Sequence, residues 1–161
     1  MFASVLLLVA LATPGFGQEL TQPLSLDPAI RTGRLPNGLT YFIRRNARPA
    51  SRAMLRLAVK AGSVDEADDQ LGLAHVLEHM AFNGGAHFKP GELVKYLESI
   101  GARFGPHVNA YTSYDETVYM LEVPTDREAL LSRGMQVLSD FGGNLRLRHC
   151  FSHSVIPLLF G

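Results

Sequence analysis

Cysteine, tryptophan and net charge are scarce or missing in this chain of 161 residues. It has a single cysteine, Cys150, and no tryptophan. A lone cysteine excludes an internal disulfide framework and a four-cysteine zinc site. The 15 Lys and Arg residues balance the 15 Asp and Glu residues, so the chain lacks the basic surface expected of a protein that binds nucleic acid. The sequence therefore predicts no nucleic-acid partner.

Long apolar runs are missing as well. The longest uncharged apolar run covers residues 2–12 and is too short to cross a bilayer, which takes about 20 residues. It has instead the length of a signal-peptide core, and Gly15 and Gly17 follow in a small-x-small arrangement. Because no Lys or Arg precedes the run, a buried first helix or strand is the alternative. The pattern predicts a signal peptide over residues 1–17, an exported protein, and no membrane span in the mature chain.

The apolar share of 47% and the charged share of 19% are those of a globular domain. Asn37-Gly38 predicts a tight turn between two short strands. Residues 52–60 alternate apolar side chains with other ones, as a half-buried strand does, and residues 117–123 show the same alternation. Each of these patterns predicts a strand.

Helical signals are interleaved with these strands. Apolar side chains recur at helical spacing in residues 71–82. A second helix is predicted to begin at Pro90, whose missing N–H costs nothing there, and to run to Ile100. Thr125 and Glu128 have the spacing of a capping box, which predicts a helix that runs to about Phe141. Because the connections are short, the pattern predicts an α+β fold. Its architecture is a two-layer sandwich of a mixed, mainly antiparallel sheet with helices packed on one face.

One motif carries chemistry, the His-x-x-Glu-His arrangement of the inverted zincins, which reads His75-Val76-Leu77-Glu78-His79. On a helix the two imidazoles project from one face, one turn apart, and can reach one Zn²⁺ at about 2.0–2.1 Å. Glu78 flanks that face, where a carboxylate can take a proton from the attacking water. The alternative is a surface helix with two solvated histidines and a carboxylate. His87 and His107 do not share this face, and we expect them in loops or at the surface.

Several blocks in addition to the zinc motif resemble the pitrilysin/insulysin (insulinase-type) family of zinc metallopeptidases. The resemblance covers about residues 31–147 and is closest to bacterial exported members, which implies a periplasmic or secreted location. Separated blocks in family order are more specific than the zinc motif alone. The blocks are residues 35–39 (LPNGL), 72–84 (GLAHVLEHMAFNG), 96–102 (YLESIGA) and 109–119 (NAYTSYDETVY).

The resemblance implies a zinc cofactor, a peptide or protein substrate, and roles for the positions that match. His75 and His79 would be zinc ligands and Glu78 the general base. A strand beside the cleft would bind the substrate by main-chain pairing, as an added β-strand. The residues of that strand are Asn109, Ala110, Tyr111 and Thr112. Without the resemblance, an ordinary short strand within the sheet is the preferred interpretation of the same four residues.

The carboxyl end departs from the family pattern. Family members take a third zinc ligand from a Glu on a later helix, which would fall near Ile156, but no Glu follows Glu128. Residues 148–161 show no family pattern, and a truncation with a foreign tail is the hypothesis that explains them. Tail residues His149, Cys150 and His153 have metal-ligand chemistry, but histidines in a segment without periodicity are more often incidental.

The chain is thus predicted to comprise a signal peptide (1–17), a lead-in linker (18–30), the amino-terminal part of a peptidase domain (31–147) and a non-family tail (148–161). The first functional hypothesis is a zinc-dependent metalloendopeptidase, weak or inactive here because its third ligand is missing. The family also implies a second homologous half or subunit. The alternative hypothesis is a non-catalytic exported module that binds peptides or takes part in assembly.

Overall fold

The computed structural model describes residues 24–145, and the chain divides between Arg45 and Asn46 into two compact units. The predicted signal peptide, part of the predicted linker and the predicted tail lie outside the described residues. The helices and strands follow in the order β1 (Ile30–Arg34), β2 (Thr40–Arg44), β3 (Arg52–Val59), α1 (Leu73–Ala81), α2 (Glu92–Ser99), β4 (Val108–Thr112), β5 (Thr117–Pro124) and α3 (Glu128–Phe141), with a short 3₁₀ turn at Ser63–Asp65.

The first unit contains an antiparallel hairpin of β1 and β2, with Arg34 opposite Thr40 at its closed end. The turn is closed by a 2.8 Å hydrogen bond from the Leu35 N–H to the Leu39 carbonyl oxygen. Gly38 has a φ of +90°, a backbone conformation that costs glycine little and other residues more. The turn predicted at Asn37-Gly38 is therefore confirmed.

The second unit is built on a three-stranded sheet in the order β3-β5-β4. Both pairings are antiparallel, with Leu55 opposite Leu121 and Ala110 opposite Tyr119. On β3 the even-numbered Met54 and Arg56 are exposed while Leu55 is half-buried, so the alternation predicted for residues 52–60 is confirmed. The pairings between the named strands are thus antiparallel, and the described residues add one isolated parallel bridge, between Phe104 and Val108 of β4.

The core lies between one face of this sheet and the helices. Gly134 of α3 is where the two layers approach closely, because a Cβ there would lie 3.0 Å from Val123 and 3.1 Å from Leu55. Burying a side chain such as Val123 contributes about 1.5–3 kcal/mol. The sequence prediction of an α+β sandwich is confirmed. The buried apolar cluster contains Ala81, Phe88, Leu93, Leu97, Ala102, Val108, Tyr119, Leu121, Val123, Val137 and Phe141.

The capping box predicted before α3 is wrong, although the predicted end of the helix at Phe141 is confirmed. Arg127 is the N-cap, in an extended conformation and without a side-chain capping bond. The N–H of Thr125 donates to the Ser51 carbonyl oxygen at 2.9 Å. Because Thr125 still extends the pairing of β3 with β5, it lies too early in the chain to cap the helix.

The two shorter helices each begin at a glycine. Gly72 precedes α1 with a φ of 88° and Gly91 precedes α2 with a φ of 76°, so the second helix begins after Pro90 rather than at it. Within residues 24–145, the structure has no helix with the length and apolar character of a membrane span.

Candidate active site

Helix α1 brings the two histidines of the zinc motif together. Their Nε2 atoms lie 3.0 Å apart, and their ring centroids are separated by 4.7 Å. Two nitrogens bound to one tetrahedral Zn²⁺ at 2.0–2.1 Å would lie about 3.3 Å apart, so a small rotation of either ring accommodates the ion. The side chain of His75 is 64% exposed. The pair therefore has the chemistry and spacing of two zinc ligands that are open to solvent.

Glu78 lies between this pair and the sheet. Its side chain is only 8% exposed, and its Oε2 atom is 3.9 Å from His75 Nε2. The hydroxyl of Thr112, the last residue of β4, donates to the same Oε2 atom at 3.0 Å. The carboxylate is thus held beside the two imidazoles by a residue that is 34 positions away in sequence.

A second carboxylate, Glu66, holds the start of α1. Its Oε2 atom accepts the Gly72 N–H at 2.7 Å and its Oε1 atom accepts the Ala74 N–H at 2.8 Å. The first N–H groups of a helix have no intrahelical partner, and Gly72 has no side chain to supply one. Sequence reasoning missed this contact, for which the acidic composition of residues 65–69 was the available signal.

Strand β4 has an open edge next to Glu78. In the sheet order β3-β5-β4, its one neighbour among the strands of residues 24–145 is β5. Bonds from Ser113 to Glu116 and from Glu122 to His107 mark the positions that face β5. By the alternation of antiparallel pairing, the backbone groups of Ala110 and Thr112 point to the open edge. The Ala110 N–H donates to the Asn109 side-chain oxygen at 2.9 Å, so the Ala110 carbonyl oxygen and the backbone of Thr112 are placed to pair with an added strand.

His87 and His107 lie in loops, as predicted, but His87 has a partner that sequence reasoning missed. Its Nδ1 atom is 2.7 Å from Asp140 Oδ1, and its backbone N–H donates to Asp140 Oδ2 at 2.9 Å. Asp140 of α3 is buried, and a Cβ on Gly85 would lie 2.5 Å from its carboxylate. The pair ties the loop between α1 and α2 to α3 and thereby supports the helix that carries the motif.

Tyr119 of β5 is the tyrosine most affected by this environment. Burial, and then the nearby charge of Glu78, raises the pKa of its phenol from 10.0 to about 12. Its ring packs on Phe141 at a centroid distance of 4.8 Å. The phenol is therefore neutral in the pH range in which proteins work.

The described residues contain two of the imidazoles that a zinc site needs and no complete ligand set. Across residues 24–145 there is no group of three or more His, Cys, Asp or Glu side chains placed to hold a metal ion. The tail residues His149, Cys150 and His153 lie outside the part of the chain that the structure describes.

A family profile described as Insulinase (Peptidase family M16) matches residues 41–150. The chain therefore belongs to peptidase family M16.

Two of the proteins that are similar to this chain are named as proteases. The chain is 49% identical over 131 residues to a protein from Arabidopsis thaliana named zinc protease PQQL-like, matching 81% of this chain and 13% of that protein. The crystal structure of the first half of the periplasmic protease PqqL from Escherichia coli matches with a TM-score of 0.72 and 41% identity, over 76% of this chain and 26% of that one.

A further match is to a structure of the ferredoxin protease FusC in complex with Arabidopsis ferredoxin. Its TM-score is 0.64 at 33% identity, over 73% of this chain and 13% of that one. The chain thus spans a small part of the proteins it matches, between 13% and 26% of their length.

Proposed function

We propose that residues 31–147 form the amino-terminal part of a zinc-dependent metalloendopeptidase domain. The observation that carries the proposal is the arrangement on α1, where two imidazole nitrogens lie 3.0 Å apart and a buried carboxylate oxygen lies 3.9 Å from one of them. A surface helix with solvated histidines would not bury the carboxylate between them. The names of the relatives as zinc proteases agree with this assignment.

Each residue of the site has a role in this proposal. His75 and His79 would hold the zinc, which would supply a Lewis acid for the scissile carbonyl. Glu78 takes a proton from the attacking water and returns it to the leaving nitrogen. The open edge of β4, from Asn109 to Thr112, holds the substrate backbone in line with these groups.

The ligand set limits the activity of the chain as given. The sequence contains no Glu after Glu128. The described site therefore offers two imidazoles, whereas structural and catalytic zinc sites have three or four protein ligands. We propose that this chain binds zinc weakly and cleaves peptides weakly or not at all. The open edge of β4 needs no metal, and it favours non-catalytic peptide binding as a second function.

Zinc analysis paired with a cleavage assay tests the proposal. The full chain should bind Zn²⁺, and His75→Ala should abolish that binding. His107 lies in a loop, so the control substitution His107→Gln should leave zinc binding unchanged. Any cleavage of an unstructured peptide should be lost in Glu78→Gln with zinc retained. Equal zinc binding by the His75→Ala and unsubstituted chains would contradict the assignment, and peptide binding that His75→Ala leaves intact would favour the non-catalytic function.

We also propose that the protein is exported after removal of residues 1–17. The apolar run of residues 2–12 and the small residues that follow it support this, as does the periplasmic location of the similar Escherichia coli protease. Mass spectrometry of the exported protein should find an amino terminus at Gln18. An intact Met1 on exported material would refute the proposal.

A further inference from the structure

We infer that Thr112 is a positioning residue for the general base, an inference that rests on the proposed function. Its hydroxyl holds the Glu78 carboxylate beside the metal position and keeps it from becoming a metal ligand. This role belongs to the side chain of Thr112 and is separate from the role proposed above for its backbone at the open edge of β4.

The distances around Glu78 show why such a restraint is needed. Two donors bound to one tetrahedral zinc lie about 3.3 Å apart, and Glu78 Oε2 is already 3.9 Å from His75 Nε2. A carboxylate is itself a good zinc ligand, so a small movement would bring Glu78 onto the metal. The 3.0 Å hydrogen bond from the Thr112 hydroxyl to that same oxygen opposes the movement.

The surroundings of this hydrogen bond make it effective. The Glu78 side chain is 8% exposed, and a hydrogen bond to a charged group is stronger where little water competes with it. The Thr112 hydroxyl has one proton, and the hydroxyl donates it in a hydrogen bond to the carboxylate. A valine at this position would keep the shape of the side chain and lose the donor.

Thr112 is in turn held by its neighbours. It lies opposite Thr117 at the end of the β4–β5 pairing, and the Thr117 hydroxyl donates to the Ala61 carbonyl oxygen at 2.9 Å. The Val64 N–H donates to the Tyr114 carbonyl oxygen at 2.9 Å, which joins the loop after β3 to the β4–β5 turn. These contacts hold the backbone on either side of the β4–β5 turn, and the Thr117 hydroxyl oxygen lies 3.4 Å from the Thr112 hydroxyl oxygen.

Co²⁺ binding to the full chain tests the inference, because its absorption spectrum reports the ligands of the metal. Thr112→Val should bind Co²⁺ about tenfold more tightly and change the d–d bands, since the released Glu78 carboxylate joins the metal. Thr112→Ser, which retains the hydroxyl, should match the unsubstituted chain. In a Glu78→Gln background, Thr112→Val should change neither affinity nor spectrum, because the carboxylate is gone.

The results that overturn the inference are distinct from those that overturn the proposed function. Equal affinities and spectra for the Thr112→Val and unsubstituted chains overturn the role of Thr112, as does a difference that persists in the Glu78→Gln background, which indicates a general structural effect. A failure of the unsubstituted chain to bind Co²⁺ overturns the metal site, and the inference falls with it.

Discussion

Removing the carboxylate of Glu66 should destabilise the helix that carries the zinc motif. Glu66 accepts the N–H groups of Gly72 and Ala74 at 2.7 and 2.8 Å. The first turn of α1 has no acidic residue, and its N-cap has no side-chain capping bond. A carboxylate outside the helix thus serves both as its cap and as the negative charge that favours a helix N-terminus.

The magnitude follows from these two contributions. Loss of a capping side chain costs about 0.5–2 kcal/mol, and loss of a charge near a helix N-terminus costs about 0.3–1 kcal/mol. Because Glu66 is half-buried, water replaces part of what is lost. We expect Glu66→Ala to lower the free energy of unfolding by about 1–2 kcal/mol, and Glu66→Gln, which keeps one acceptor oxygen, by roughly half as much.

Urea unfolding at neutral pH, followed by circular dichroism, measures this change. Asp69→Ala is the matched control, because Asp69 is an exposed carboxylate in the same loop, and it should stay within about 0.5 kcal/mol of the unsubstituted chain. Hydrogen exchange should show faster exchange of the α1 amides in Glu66→Ala. The reasoning is refuted if Glu66→Ala and Asp69→Ala have the same effect on unfolding.

Three further predictions follow from other contacts. Asp140→Asn removes a buried carboxylate that accepts the His87 backbone N–H and contacts its ring nitrogen, and should lower the free energy of unfolding by about 1–3 kcal/mol, against little change for the exposed Asp126→Asn; similar urea midpoints would contradict this. Gly62→Ala places a Cβ 2.4 Å from a backbone oxygen and should cost about 2 kcal/mol or more, whereas Gly143→Ala, which meets nothing within 4 Å, should be nearly neutral; comparable thermal midpoints would disprove it. The raised pKa of Tyr119, about 12 in the folded chain against 10.0 unperturbed, favours the folded state below pH 10, and this contribution should be lost as the pH rises toward 12. Absorbance at 295 nm should show a late phenolate step that Tyr119→Phe removes, and a Tyr119 that titrates near pH 10 in the folded chain would exclude it.

Local features of the fold were predictable because they depend on near neighbours in the chain. The turn at Asn37-Gly38 needs a positive φ, and the half-buried strand of residues 52–60 needs alternation, so both can be recognised from a few residues. The capping box before α3 failed for the complementary reason. Its spacing was right, but the sheet extends to Thr125, and that pairing depends on Ser51.

Some features of the candidate site also depend on near neighbours in the chain, and others depend on residues far apart in sequence. The spacing of His75, Glu78 and His79 determines that they share one side of a helix, since helical geometry fixes the relation of residues three and four apart. The hydrogen bond from Thr112 to Glu78, the cap of α1 by Glu66 and the pairing of His87 with Asp140 join residues 34, 8 and 53 positions apart.

The sequence thus determines which chemical groups are present and which of them share a helix face, because those relations are set by bond geometry within one turn. It does not determine that Thr112 donates to Glu78, because that contact exists only once β4 has paired with β5 and α1 has packed on the sheet. Tertiary packing therefore decides how the carboxylate is aimed. Helix α1 alone supplies the two imidazoles and the carboxylate of Glu78. The contact with Thr112 of the sheet orients that carboxylate.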